Sequence, residues 1–214
     1  MRYILFVVLL FPGCNRPESR PEIIVFVAAS AEGVLQELVP GFEAREGVRV
    51  LVHAGGSTRL RSQILRGAPA DVFVAAGPVN LPGRPEVVAV NRMVAIVPVD
   101  STRRKWRTSL RIALADPELA PAGVYARRIL KREGVEVEWV YGGHVRAVLA
   151  YVELGLVDSG FVYRSDVTSR VRVVESFPDS VEYEAIVVSD RQLSRRFLSH
   201  LVEQRNTFRK RGFE

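Results

Sequence analysis

Small and hydroxyl-bearing residues stand at four points where an apolar segment gives way to a helical pattern. The four junctions are Ala28-Ala29-Ser30, Gly55-Gly56-Ser57, Pro121-Ala122-Gly123 and Gly142-Gly143. Helix N-termini present free backbone N–H groups, and small residues let a ligand approach them closely. Each junction alone is also compatible with an ordinary cap or turn. Together they indicate a binding site for an anion that requires no basic side chain.

Other kinds of chemistry find little support in the residue types. The single cysteine cannot form an internal disulfide, and the three histidines lack the spacing of a metal site. No phosphate-binding loop, dinucleotide motif or nucleophile elbow is present. A Ser–His–Asp set could be drawn from Ser57, His53 and Asp71, but no spacing supports it. We therefore expect no enzyme activity, no cofactor and no bare metal ion.

The composition is that of an ordinary globular protein. The chain has 214 residues, of which 48% are hydrophobic and 25% are charged, with a net charge of +6. The densest basic patches, at 103–107 and 205–211, lack aromatic residues spaced for base stacking. We therefore expect a solvated basic surface and no binding to nucleic acid.

The N-terminal segment is typical of a secretory leader. Residues 3–11 form an apolar run behind Arg2, and this run is too short to cross a bilayer, which needs ~20 apolar residues. We predict a signal peptide at 1–13 and a polar tether at 14–21. The lone Cys14 follows a small residue, as in a bacterial lipoprotein cleavage box; an ordinary signal peptide with an incidental cysteine is the alternative. Either reading predicts export.

Strand and helix patterns alternate along the rest of the chain, which predicts an α/β fold. The predicted strands lie at 23–29, 48–52, 71–75, 93–97, 112–115, 159–163, 171–174 and 183–188. The composition does not break into two blocks, so two contiguous domains are not expected. Two lobes with the chain crossing between them remain compatible with the pattern. Ligands of open α/β sheets bind beyond the carboxyl ends of the strands, where the four junctions fall.

The same junctions, with several other motifs in the same order, resemble the molybdate-binding proteins of ABC importers. The most specific motifs are Val25-Phe26-Val27-Ala28-Ala29-Ser30, Gly67-Ala68-Pro69-Ala70-Asp71-Val72-Phe73, Asp116-Pro117-Glu118 and Pro121-Ala122-Gly123-Val124-Tyr125-Ala126. The match is extended by Val145-Arg146 with Leu149-Ala150, by Val162-Tyr163 with Ser165-Asp166, and by the closing Arg209-Lys210-Arg211-Gly212-Phe213. The resemblance runs from about Ile23 to Phe213.

This resemblance implies a two-lobed, type II periplasmic-binding-protein fold with two crossover strands. It assigns 22–92 and 180–214 to lobe I and 93–179 to lobe II. The family's ligand-binding positions fall on Ser30, Ser57, Ala122, Val145 and Tyr163 of this chain. The serines and the tyrosine would contribute hydroxyls, and the other two would contribute backbone N–H groups. For Tyr163, a core tyrosine without a ligand is the alternative.

The function implied is a monomeric receptor, periplasmic or at the cell surface, that captures molybdate or tungstate. It would deliver the anion to an ABC permease in the membrane. A receptor for another tetrahedral oxyanion, such as sulfate or phosphate, is the first alternative. An enzyme that uses the same bilobal fold is the second, and it would need an acid or base positioned in the cleft.

The chain departs from the family pattern at a few positions. A short Pro/Gly-rich loop at 77–86 stands where the family usually has a helix. His144 stands where an acidic residue is common, and Arg59 and Arg164 flank expected ligand positions that are usually uncharged there. The two arginines would strengthen anion attraction, alter the choice of anion, or simply point into solvent.

Overall fold

The computed structural model describes residues 20–135 and 138–214. The predicted signal peptide, Cys14 and most of the predicted tether therefore lie outside the described residues. The first half holds β1 (Glu22–Ala28), α1 (Glu32–Glu46), β2 (Arg49–Gly55), α2 (Ser57–Leu65), β3 (Val72–Ala76) and β4 (Glu86–Pro98). The second half holds β5 (Arg111–Ala115), α3 (Pro121–Glu133), β6 (Glu138–Gly142), α4 (Val145–Glu153), β7 (Ser159–Tyr163), β8 (Val171–Val187), α5 (Gln192–Glu203) and α6 (Arg205–Lys210). The predicted α/β class is confirmed.

The strands form one sheet of eight, in the order β2-β1-β3-β8-β4-β7-β5-β6. β1 pairs in parallel with β2 and β3, and β5 pairs in parallel with β6 and β7. Two inner strands, β3 and β7, are buried at all five of their residues, as expected of strands covered on both faces.

Two long antiparallel strands, β4 and β8, join the two parallel groups at the centre of the sheet. The C-terminal part of β8 pairs with β3, and Met93–Ile96 of β4 pairs with β7. These are the two crossover strands of the predicted fold. The predicted lobe boundaries, at 92/93 and 179/180, fall inside them, and the division into lobes at these positions stays a prediction.

Both crossover strands are longer than the sequence predicts. The prediction of a strand at 93–97 was too short, and the two strands predicted at 171–174 and 183–188 are one continuous strand. The register between β4 and β8 shifts at three points along their pairing. Such irregularities break the two-residue alternation of buried side chains that sequence patterns depend on, and they bend the strands that contain them.

That bend decides where the ligand-binding end of the sheet lies. The pairing senses make β7 antiparallel to β3, so a flat sheet would place their carboxyl ends on opposite edges. In the structure, Ala76 at the end of β3 and Tyr163 at the end of β7 line the same cavity. The sheet therefore curls at β4 and β8 and brings the two groups of strand ends together.

Candidate functional site

A small cavity lies where these strand ends meet. It is lined by Ala28, Ala29, Ser30, Gly55, Gly56, Ser57, Ala76, Ala120, Pro121, Ala122, His144, Val145 and Tyr163. The cavity has a volume of about 10 Å³. The structure thus brings all five predicted site residues to one place.

Three helices begin at this cavity. α2 starts at Ser57, α3 at Pro121 and α4 at Val145, and no side chain caps any of the three with a hydrogen bond. The first N–H groups of a helix have no intrahelical partner, and the helix dipole places partial positive charge there. The N-termini therefore offer the cavity donors and a positive potential, although no lysine or arginine in the described residues lines it.

Each serine is oriented by a defined contact. The Ser57 hydroxyl accepts a hydrogen bond from the backbone N–H of Ala76 at 3.0 Å, which leaves its own hydrogen free to donate. The Ser30 hydroxyl lies 2.5 Å from the hydroxyl of Tyr183. When Tyr183 donates to Ser30, Ser30 can likewise donate into the cavity. Both serines are buried, so bulk water does not compete for these hydroxyls.

Tyr163 is fully buried, and its hydroxyl has no hydrogen-bond partner among the described residues. Burial raises the pKa of Tyr163 well above its ordinary value. The phenol therefore keeps its proton and remains a donor at neutral pH. A buried hydroxyl without a partner costs free energy, which a ligand oxygen in the cavity would recover.

Sequence reasoning missed two residues behind the cavity wall. Tyr183 holds Ser30, and its ring packs edge-on against the ring of Tyr163, with 5.8 Å between the ring centroids. Asp166 follows Tyr163 closely, and within the described chain neither of its buried carboxylate oxygens has a hydrogen-bond partner. Burial raises the pKa of Asp166 to about 7, although Arg146, 3.8 Å away, opposes this rise. Asp166 belongs to the Ser165-Asp166 pair that extends the family resemblance, which gave it no role, and nothing local pointed to Tyr183.

The Ser–His–Asp alternative is not assembled by the fold. Asp71 precedes β3 and Ser57 contacts its far end, so the two lie about five residues, or ~16 Å, apart along the strand direction. The Asp71 carboxylate instead accepts hydrogen bonds from the N–H of Ile24 and from Arg191. His53 packs against Phe26, with ring centroids 4.9 Å apart.

The two sides of the cavity touch directly. The N–H of Arg59, on α2, donates to the carbonyl oxygen of Leu119 at 3.1 Å. A Cβ atom on Gly56 would lie 2.4 Å from that oxygen and 3.0 Å from the carbonyl oxygen of Gly143. Only glycine permits this approach, so the structure shows the cleft in a closed arrangement.

The two arginines that flank expected ligand positions lie outside the cavity lining. Arg59 and Arg164 are exposed, and neither lines the cavity.

Across the described residues, no group of three or more His, Cys, Asp or Glu side chains is arranged to hold a metal ion. No helix in the described ranges is long and apolar enough to cross a membrane.

Comparison with known proteins places the whole folded chain in one family. The family described as bacterial extracellular solute-binding protein matches residues 23–214. A protein of Bacillus subtilis that carries the name ABC transporter substrate-binding lipoprotein YvgL is 30% identical, over 99% of this chain and 98% of its own length. The molybdate-binding protein ModA of Escherichia coli is 31% identical, over 81% of this chain and 80% of its own.

A solved structure supports the fold independently. The periplasmic molybdate-binding protein of Azotobacter vinelandii superposes with a TM-score of 0.75 at 18% identity, covering 90% of this chain and 98% of its own. At this identity the likeness concerns the fold, which is the predicted type II architecture. The matched family is one of solute-binding proteins and not of enzymes. The chain belongs to the bacterial extracellular solute-binding proteins, and molybdate-binding proteins are among its relatives.

Proposed function

We propose that this protein captures molybdate or tungstate outside the cytoplasm and delivers it to an ABC permease. The observation that carries the proposal is the set of donors that line one small cavity. Three hydroxyls and three helix N-termini meet there, and none of these groups carries a formal charge. Such a shell suits an anion whose oxygens are all hydrogen-bond acceptors.

In this proposal each site residue has a stated role. Ser30, Ser57 and Tyr163 donate from their hydroxyls, and Ala122 and Val145 donate from their backbone N–H groups. All of these donors meet oxygen atoms of the anion, so no side chain binds the metal atom itself. No covalent step, no cofactor and no catalytic acid or base is involved, and the protein acts as a monomer.

Selectivity follows from the size of the cavity and from its donors. Every tetrahedral dianion presents similar acceptor oxygens, so molybdate and sulfate are separated by cavity size. A protonated phosphate also brings a hydrogen that requires an acceptor, and the proposed shell consists of donors. The named relatives that bind molybdate support the larger anion. Sulfate or phosphate is the second candidate because the same donors would serve it.

The test of this function is equilibrium dialysis of the purified protein against molybdate with an excess of sulfate. Elemental analysis then counts the molybdenum atoms retained by each chain. We expect one molybdenum per chain, which excess tungstate displaces and excess sulfate does not. Retention of sulfur in place of molybdenum would transfer the function to sulfate, and no retention of either would refute the proposed molybdate and sulfate functions.

We further propose that Cys14 is lipidated and anchors the folded domain at the outer face of the membrane. The proposal is supported by the leader pattern and by the lipoprotein name of the Bacillus subtilis relative. Mass spectrometry of the membrane fraction tests it. A diacylglycerol adduct on Cys14 is expected, whereas an unmodified cysteine on a freely released protein would indicate an ordinary signal peptide.

A further inference from the structure

One ring nitrogen at the cavity has no part in the donor shell described above. His144 lines the cavity from the N-cap position of α4, where its backbone is extended, with φ −165° and ψ 169°. Its carbonyl oxygen accepts hydrogen bonds from the N–H groups of Ala147 at 3.0 Å and of Val148 at 3.3 Å, in the first turn of the helix. Its Nδ1 atom is buried and has no hydrogen-bond partner in the ranges that the structure describes.

Buried side-chain nitrogens are nearly always hydrogen-bonded, because leaving one without a partner costs free energy. On the side of α4, the carbonyl oxygen of His144 accepts backbone hydrogen bonds from the helix. The side chain of His144 makes no capping hydrogen bond there. The cavity is therefore the side from which a partner can reach the imidazole. Any ligand held by Val145, the next residue, would lie close to this ring.

Charged groups on three elements surround the imidazole. Glu32 lies on α1, Arg59 on α2 and Arg146 on α4. Burial lowers the pKa of His144, the Glu32 carboxylate opposes this effect, and Arg146 and Arg59 add to it. Arg146 also lies 3.8 Å from Asp166 on the turn that packs against α4. Together these effects favour the neutral imidazole in this closed arrangement.

We propose that His144 is a sixth contact to the bound oxyanion, with its Nδ1–H donating to one of the anion's oxygens. This inference rests on the proposed function and assigns a role to a residue that departs from the family pattern. A neighbouring anion favours the protonated imidazole. Ligand binding should therefore be coupled to partial uptake of a proton by His144.

Coupling of ligand binding to proton uptake fixes the direction in which affinity changes with pH. Because the anion binds the protonated ring more strongly, affinity should rise as pH falls through the window between the pKa values of His144 in the free and bound proteins. Asp166 is the other buried group that could take up a proton near neutral pH. The experiment therefore has to separate the ring from this carboxylate.

The first measurement is an NMR titration of the histidine ring signals with and without molybdate. The chain has three histidines, and His144→Gln assigns one of them directly. We expect the His144 signals to titrate at higher pH in the presence of molybdate, while His53 and His200 titrate as before. An unchanged titration of His144 would overturn the inference. The titration itself is recorded on the unmodified protein, and the variant serves only to assign the ring signals.

The second measurement is calorimetry at pH 6 and pH 8 on the wild-type protein and on the His144→Gln, His53→Gln and Asp166→Asn variants. We expect His144→Gln to bind molybdate about tenfold or more weakly at pH 6, as for loss of a hydrogen bond to a charged group, and to lose most of the pH dependence. His53→Gln should retain the wild-type affinity and the wild-type pH dependence. A pH dependence that survives in His144→Gln and disappears in Asp166→Asn would overturn the role of His144.

The failures of the two proposals are distinguishable. If the wild-type protein binds no tetrahedral oxyanion, the proposed function fails. If the wild-type protein binds molybdate, and His144→Gln matches it in affinity and in pH dependence, the proposed function stands and the His144 contact is refuted.

Discussion

At the scale of single residues, the cavity depends on serine hydroxyls whose oxygen atoms are held by protein contacts. Ser30 shares a 2.5 Å contact with Tyr183, and Ser57 accepts from the N–H of Ala76. In both cases a second group fixes the oxygen, so the serine does not lose rotational freedom when it binds a ligand. This preorganisation is what separates the two serines from ordinary helix caps.

Ser30→Ala should therefore weaken oxyanion binding substantially. Loss of a hydrogen bond to a charged ligand costs about 1.5–3 kcal/mol, which corresponds to roughly a 10- to 150-fold weaker affinity. Ser62→Ala, on α2 but outside the cavity lining, is the matched control and should leave affinity unchanged. Calorimetry on both variants checks this prediction. Equal affinities of Ser30→Ala and Ser62→Ala would contradict the assignment of the site.

Tyr163→Phe separates a ligand-binding tyrosine from a structural one. The hydroxyl is buried without a protein partner, so its removal should leave the free energy of unfolding of the ligand-free protein unchanged or slightly higher. Oxyanion affinity should nevertheless fall by about tenfold or more. Thermal unfolding with and without molybdate measures both effects. A variant that is clearly less stable and binds the anion normally would show that Tyr163 is only a core residue.

Four of the five predicted site residues could be located from the local sequence. They are Ser30, Ser57, Ala122 and Val145, which lie at or beside strand-to-helix junctions. Small residues and free N–H groups at such junctions indicate the ligand-binding edge of the sheet. Tyr163 came only from the family resemblance. Tyr183 was missed because its contact with Ser30 joins residues 153 positions apart, across strands whose pairing no local pattern specifies.

At the scale of elements, a buried carboxylate ties the first group of strands to the C-terminal helix region. Asp71 accepts from the N–H of Ile24 on β1 at 2.8 Å, from the hydroxyl of Ser189, and from Arg191 at 3.1 Å. Burial opposes ionisation of this group, but the hydrogen bonds from Ser189 and Ile24, with Arg191, outweigh it and lower the pKa of Asp71.

This lowered pKa predicts a pH-dependent contribution to stability. The contribution is fully present above the ordinary pKa of 3.8 and is lost as pH falls below that value towards the folded-state pKa. Asp71→Asn should lower the free energy of unfolding by about 1–3 kcal/mol at pH 7, with a smaller difference in acid. Denaturant unfolding at several pH values measures this, with exposed Asp190→Asn as the control. A difference independent of pH would contradict the role of the ionised carboxylate.

Sequence patterns located some strands and helices more accurately than others. The parallel strands and most helices fall within a few residues of their predicted positions, because continuous apolar runs and helical spacing identify them. β4 and β8 were predicted too short or in two pieces, because the register shifts between them break the alternation. The same irregularities curl the sheet and create the cavity, so the least predictable strands are those that assemble the site.

At the scale of the whole molecule, closure around the ligand depends on a backbone approach between α2 and the segments that precede α3 and α4. Gly56 stands at that contact, where a Cβ atom would lie 2.4 Å from the Leu119 carbonyl oxygen. Gly56 has an ordinary extended conformation, with φ −68° and ψ 130°. A side chain there would therefore obstruct the contact between the two sides without straining the local backbone.

Gly56→Ala should accordingly favour an open molecule. We expect the variant to fold but to bind oxyanion at least tenfold more weakly, since closure completes the donor shell. Small-angle scattering should show a smaller radius of gyration on addition of molybdate for the wild-type protein and no change for the variant. Gly41→Ala, on the exposed face of α1 with open space around it, is the control. Normal affinity and normal compaction of Gly56→Ala would refute this account of closure.

The central claim is that the cavity selects a large tetrahedral oxyanion, and one calorimetric series tests it most directly. The purified protein is titrated with molybdate, tungstate, sulfate and phosphate under the same conditions. We expect one site per chain, with strong heat signals for molybdate and tungstate and much weaker binding of sulfate and phosphate. Tight binding of sulfate without any response to molybdate would contradict it.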